Sequence, residues 1–160
     1  MRLTGNAGCL QPEVADVVDP ATRSRMMAGI GGRNTKPELL LRRELHRRGL
    51  RYRLHRKDLA GRPDVVFPKY GAVLFVHGCF WHGHDCRYFK WPSTRPEFWA
   101  GKIASNRARD KRQIEALTAT WRVGVVWECA LRGKNADVGA VVSRVVQWLE
   151  GDAARMEERG

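Results

Sequence analysis

The chain has no apolar run long enough to cross a membrane. Its longest, Ala72 to Trp81, is interrupted by His77 and falls well short of the ~20 residues a helical span needs. Its first twenty residues hold no apolar segment behind a basic start, so we expect no secretory signal and a reducing, cytoplasmic setting. Cysteine is scarce, with 4 residues in all and no C-x-x-C pair. That argues against a disulfide framework and leaves metal binding or free thiols. Acidic residues are also few: 17 Asp and Glu stand against 29 Lys and Arg, a net charge of +12. Such an excess is silent on fold but favours a polyanionic partner, because each cation seated on a phosphate releases condensed counterions. There is no internal repeat and no low-complexity block.

What is present fits one domain. A chain of 160 residues with 43% hydrophobic content can bury a single core. Residues 1–18 lack periodicity and read as a flexible leader, residues 19–150 as the folded domain and residues 151–160 as a C-terminal tail. Asp19-Pro20 has the form of a helix start, with Arg23, Arg25 and Arg33 making that helix and its exit basic. Thr35 and Glu38, three apart, form a capping box that opens a helix over 35–48, closed by Gly49. Leu50, Tyr52 and Leu54 alternate with Arg51, Arg53 and His55 and predict a half-buried strand. Turns at 61–63 and 69–71 bracket a short run, Val65 to Phe67. Ala72 to Val76 is a continuous apolar strand of the kind covered on both faces. A helix over 96–118, a strand over 123–127 and a helix over 137–149 follow. The order α-α-β-β-β-α-β-α predicts an α/β fold, a central mixed sheet with helices on both faces.

The chemistry concentrates in residues 77–86, where three His and two Cys occur together. A tetrahedral zinc site needs four Cys or His ligands. Cys79, His84 and Cys86 supply three, and Cys129 is the natural fourth, with Cys9 the competitor. Asp64 stands at the mouth of a strand, where a carboxylate can hold a divalent cation against a phosphate or simply cap a turn. His77 leaves the neighbouring strand and His82 lies five residues on. Imidazoles beside a carboxylate suit hydrolysis, since they take and return a proton near neutrality. Phe80, Trp81, Trp91 and Trp99 surround the loop as packing or as wedges between bases. Trp121, Trp127 and Trp148 belong to regular elements and are assigned to packing. Lys102, Arg107, Arg109, Lys111 and Arg112 dress the long helix, with Asn106 and Asp110 among them.

Taken in order, GRPDVVF (61–67), FVHGCFWHGHDC (75–86), TRPEFWAGKIASNRARDKRQ (94–113) and WRVGVVWECALRG (121–133) resemble the Vsr-type very-short-patch mismatch endonucleases. The similarity runs from about Asp19 to Leu149. It implies a restriction-endonuclease-like fold with a structural zinc site, and Mg²⁺-dependent nicking of duplex DNA 5′ to the T of a T:G mismatch left by 5-methylcytosine deamination. By that resemblance Asp64 is the Mg²⁺ carboxylate, His82 the general base and His77 an assistant at the scissile phosphate. Glu38 and Asp110 orient or support the imidazoles. Cys79, His84, Cys86 and Cys129 hold Zn²⁺, while Phe80, Trp81 and Trp99 wedge beside the mismatch. The resemblance further implies a monomer acting at the nucleoid, with mismatch-repair proteins as partners. Two positions depart from the pattern. Val76 replaces a Thr whose backbone carbonyl serves Mg²⁺, and Gly83 replaces a His found in some members. A nuclease acting on matched duplex and a zinc-stabilised DNA-binding module without activity are the alternatives.

Overall fold

A computed structural model of the chain describes Asp19, Ala21, Thr22, Arg25 and residues 32–160. The leader 1–18 and Cys9 lie outside the described residues. Asp19 does cap a helical turn: its Oδ1 accepts from the amides of Ala21 and Thr22 at 3.0 and 2.9 Å.

Gly31–Gly160 is one compact unit. Helix α1 spans Lys36–Arg47, β1 Val65–Phe67 and β2 Ala72–His77. Helix α2 spans Pro96–Thr118, β3 Arg122–Trp127 and the single turn α3 Glu128–Leu131. Helix α4, Val138–Glu150, and β4, Arg155–Glu158, complete it. The strands lie in chain order in one mixed sheet: β1 runs antiparallel to β2, whereas β3 runs parallel to β2 and β4 parallel to β3. Helices α2 and α4 are the crossovers that parallel pairing requires.

Side-chain alternation along β2 divides the core in two. Ala72 and Leu74 face a layer built by Leu41 and Leu45 of α1 and Val141, Val142, Val145 and Leu149 of α4. Val73 and Phe75 face the other way, toward Leu117 and Ile114 of α2. Each fully buried Leu or Val contributes about 1.5–3 kcal/mol of hydrophobic stabilisation, so the strand is secured from both sides. His77 continues the second parity and emerges on the α2 side.

Two details differ from the sequence expectation. Residues 50–54 form no strand; only Arg53 bridges, to Val66. His55 then stands at φ 45°, which ends extended geometry. Finally, residues 151–160 include β4, which the sequence reading assigned to a tail. Its Arg-Met-Glu-Glu composition hides a strand, because an edge strand pairs by backbone alone. Trp148 Nε1 donates to the Ala153 carbonyl at 2.8 Å, Val123 N to the Ala154 carbonyl at 3.0 Å, and Arg144 pairs with Glu158 at 2.7 Å. No helix among the described residues is long and apolar enough to cross a membrane.

Candidate active site

The inward face of α2 reads Ile103, Asn106, Asp110, Ile114, Leu117, at helical spacing. Two polar residues in a stripe that otherwise packs on the sheet must meet polar partners there. Asn106 Nδ2 donates to the carbonyl of Trp81 at 2.8 Å, fixing the loop after β2. Asp110 Oδ2 accepts a short hydrogen bond from His82 Nδ1. Burial acts to raise the Asp110 carboxyl, but its bond to His82 and the two imidazoles prevail and hold it below the ordinary range. With Nδ1 committed to Asp110, His82 Nε2 is left with its lone pair.

His77 and His82 are stacked, centroids 4.1 Å apart and planes at 3°. Burial, then the neighbouring His82, lowers the His77 pKa to about 4, so this ring is neutral at physiological pH. The edge of Trp127 closes on both rings, at 5.3 and 6.1 Å between centroids. Sequence reasoning had given Trp127 to packing. Its position at the end of β3, in register with His77, is the signal that marks it.

Asp64 precedes β1. Its Oδ2 accepts from the amide of Val76, adjacent to His77, at 2.8 Å. Burial raises its pKa to about 6, with Val76 N–H, Arg42 and His82 opposing and Glu38 reinforcing. Asp64, Val76, His77, His82 and Asp110 are thus brought together. Glu38 is close enough to influence Asp64, but it bonds to neither imidazole. Its carboxylate accepts from Arg42 at 2.7 Å and from Asn34 N at 2.9 Å. His55 also borders Asp64, Nδ1 to Oδ1 3.9 Å. Neither Arg42 nor His55 stood out in the sequence, because each sits on an otherwise ordinary charged stretch.

A second cluster abuts the first. Cys79, His84, Cys86 and Cys129 each offer a ligand atom, all within 4.8 Å of one another. Cys79, His84 and Cys129 are buried. Burial, then Cys86 and Cys129 crowding the same spot, pushes the Cys79 thiol up, whereas burial, then Arg159, pushes the His84 imidazole down. His84 Nε2 is a buried polar atom with no hydrogen-bond partner, and Nδ1 lies 3.6 Å from Cys129 Sγ. Three thiols and a neutral imidazole crowded in this way form a donor set that fits a tetrahedral metal ion. His84 stacks on Trp127 at 4.0 Å, so that indole touches both clusters. Between the two lies Gly83, at φ 58°; a Cβ there would meet Ile103 Cγ2 at 2.6 Å. A side chain here would need Ile103 to shift, and the positive φ favours glycine.

Phe80, Trp81 and Trp99 form one half-buried aromatic group, with Phe80 centred 5.3 Å from Trp81 and 5.1 Å from Trp99. Beside the histidines a cleft of about 590 Å³ runs between α2 and β4, past Arg107, Arg155 and Arg159.

A half-buried carboxylate ahead of β1, and beyond β2 an imidazole held by a second carboxylate, are groups that hydrolysis can use. Comparison with known proteins gives the family. Residues 15–88 match the family model described as DNA mismatch endonuclease Vsr. The chain is 46% identical over 151 residues to DNA mismatch endonuclease Vsr of Escherichia coli, covering 92% of this chain and 97% of that one. It is 50% identical over 138 residues to the type II nicking enzyme V.XorIIP of Xanthomonas oryzae pv. oryzae, covering 86% and 98%. With the type II nicking enzyme V.NmeAIP of Neisseria meningitidis it shares 42% over 122 residues, covering 76% and 87%. The chain belongs to the Vsr family of DNA mismatch endonucleases, and is by that membership a DNA-cleaving hydrolase.

Proposed function

We propose that this endonuclease nicks duplex DNA 5′ to the T of a T:G mismatch, hydrolysing one phosphodiester with Mg²⁺. The observation that carries the chemistry is His82, bonded through Nδ1 to Asp110, stacked on His77 and set near Asp64. His82 Nε2 takes the proton of the attacking water, and Asp110 fixes the tautomer and stabilises the imidazolium that forms. Neutral His77 faces the phosphate as a hydrogen-bonding group. Asp64 and the Val76 backbone carbonyl would hold Mg²⁺, which when bound neutralises charge developing on the phosphate. The fit rests on Asp64 being a half-buried carboxylate tied to Val76, a hard oxygen donor of the kind Mg²⁺ takes. Glu38 supports this set through its effect on Asp64 rather than by orienting an imidazole.

Cys79, His84, Cys86 and Cys129 would hold Zn²⁺ as a closed structural site, pinning the loop that carries His82 and the aromatic group. Phe80, Trp81 and Trp99 supply the wedge. A wobble pair unstacks more easily than a Watson–Crick pair, so insertion costs less at the mismatch. The net charge of +12 supplies affinity for the duplex. The sheet of parallel and antiparallel strands flanked by helices supports a restriction-endonuclease-like fold. We read the enzyme as a cytoplasmic, nucleoid-associated monomer that cooperates with mismatch-repair proteins.

Incubating the protein with Mg²⁺ and a duplex bearing one T:G mismatch tests the reading. We expect one Mg²⁺-dependent nick, lost in Asp64→Ala and His82→Ala. Equal cutting of a matched duplex would replace it with a sequence-specific nuclease, and binding without cutting with an inactive module.

A further inference from the structure

Arg42 of α1 is buried, and its guanidinium spans three partners: Glu38 Oε2 at 2.7 Å, Asn34 Oδ1 at 2.6 Å and His55 Nε2 at 3.0 Å. A guanidinium can only donate. His55 Nε2 must therefore be the unprotonated nitrogen, which leaves the proton on Nδ1. That nitrogen lies 3.9 Å from Asp64 Oδ1. The gap is ~1 Å beyond an N–H···O bond, so the two groups are neighbours in this structure rather than bonded. The other oxygen, Oδ2, already accepts from Val76 N.

His55 also stands at φ 45°, an unusual backbone conformation for a residue with a side chain. Such a conformation persists only where its surroundings enforce it, and it clusters at functional sites. Here the enforcement is visible: Arg53 pairs with Val66 just before the turn, and Tyr52 Oη donates to the Arg42 carbonyl at 2.9 Å. The positive φ and the buried arginine converge on one result, a ring nitrogen that carries the proton placed beside one oxygen of Asp64.

We propose that His55 is a positioning residue for the catalytic carboxylate, with Arg42 selecting its tautomer. The inference rests on Asp64 being the metal carboxylate. A carboxylate oxygen has two lone pairs, so each oxygen of Asp64 can accept one N–H and still present a lone pair to a cation. With Val76 holding Oδ2 and His55 guiding Oδ1, the group is fixed in one orientation before the metal arrives. Outer-shell partners of this kind set ligand orientation and metal affinity in other sites.

The test is Mn²⁺ binding to the DNA-free protein, measured by calorimetry, beside the Mg²⁺ concentration dependence of nicking. An asparagine amide reproduces the Nδ1 donor and tolerates the positive φ, whereas glutamine places its amide where Nε2 was. We expect His55→Asn to bind like the wild type. His55→Gln and His55→Phe should weaken Mn²⁺ binding about three- to tenfold, the worth of one hydrogen bond to a carboxylate. They should raise the half-saturating Mg²⁺ equally and leave kcat at saturating Mg²⁺ unchanged. Arg42→Gln should match His55→Phe, and the double variant should be no worse than either. Equal binding by all the His55 variants, or equal loss in Asn and Gln, overturns the proposal. Asp64→Asn separates the premise: if it leaves Mn²⁺ binding intact, the reading of Asp64 as the metal carboxylate fails instead.

Discussion

Asp110, on the fifth turn of α2, and His82, on the loop after β2, share a hydrogen bond across 28 residues of chain. The bond does two things at once. It seats the loop on the helix and decides which nitrogen of His82 is free. Asp110→Asn separates these roles, because an amide can donate to Nδ1 and drive the proton onto Nε2. We expect single-turnover nicking to fall at least about a hundredfold, the usual worth of a placed general base, with Tm little changed. Activity within twofold of wild type would remove His82 from the role of base.

Asp64 makes the metal-free protein pH-sensitive in a direction opposite to most carboxylates. Its pKa rises to about 6 from 3.8 on folding, principally through burial. The folded state therefore prefers the protonated acid. Stability from this group is fully present below the unfolded value and is lost as pH rises from about 4 through 6. At ~1.4 kcal/mol per pKa unit the loss is about 3 kcal/mol. Denaturant unfolding in Mg²⁺-free buffer at pH 4 to 7 should separate wild type from Asp64→Asn by that decline, because His77, lowered to about 4 by burial, opposes it equally in both proteins; the variant should also lose Mg²⁺-dependent nicking. An unchanged slope in the variant would mean that Asp64 is ionised as readily folded as unfolded.

The Cys79, His84, Cys86 and Cys129 cluster should carry one Zn²⁺ per chain by elemental analysis, as a four-ligand site requires. Stripping it, or making Cys129→Ala, should cost about 3 kcal/mol or more and lower Tm by on the order of 10 °C. A metal-free preparation of undiminished Tm would refute a structural ion.

Trp81 and Phe80 meet edge to face, so removing either ring loosens the other. Trp81→Ala should lower the preference for a T:G duplex over a matched one. The loss should be ~1–3 kcal/mol, the worth of one stacked ring, read as the ratio of kcat/KM values. Unchanged selectivity would return the group to packing.

Where local rules govern, the sequence was readable. Thr35 and Glu38 are a capping box in fact, and α2 spans the predicted 96–118. The apolar strand at 72–76 is buried on both faces, extended by His77. The cluster of Cys79, His84, Cys86 and Cys129 was legible because three thiols and an imidazole stand out in a chain with few cysteines. Long-range placement was not legible. Alternation at Leu50, Tyr52 and Leu54 imitates a strand, but the chain there wraps under α1, with Tyr52 bonded to the Arg42 carbonyl. β4 is invisible to hydrophobic patterning because its side chains are mostly charged. Glu38 was placed beside the imidazoles by resemblance, yet its geometry is set by Arg42, 4 residues along the same helix. Arg42 and His55 gain meaning only when folding sets a helix against a turn 13 residues further on.

β3 gives this arrangement an order in time. Trp127 closes on His77 and His82, and Cys129 joins a cluster whose other members arrived more than forty residues earlier. During synthesis the loop bearing His82 consequently has neither its indole lid nor its last thiol until most of the polypeptide has left the ribosome. The packing around His77 and His82 is therefore among the last parts of the domain to close.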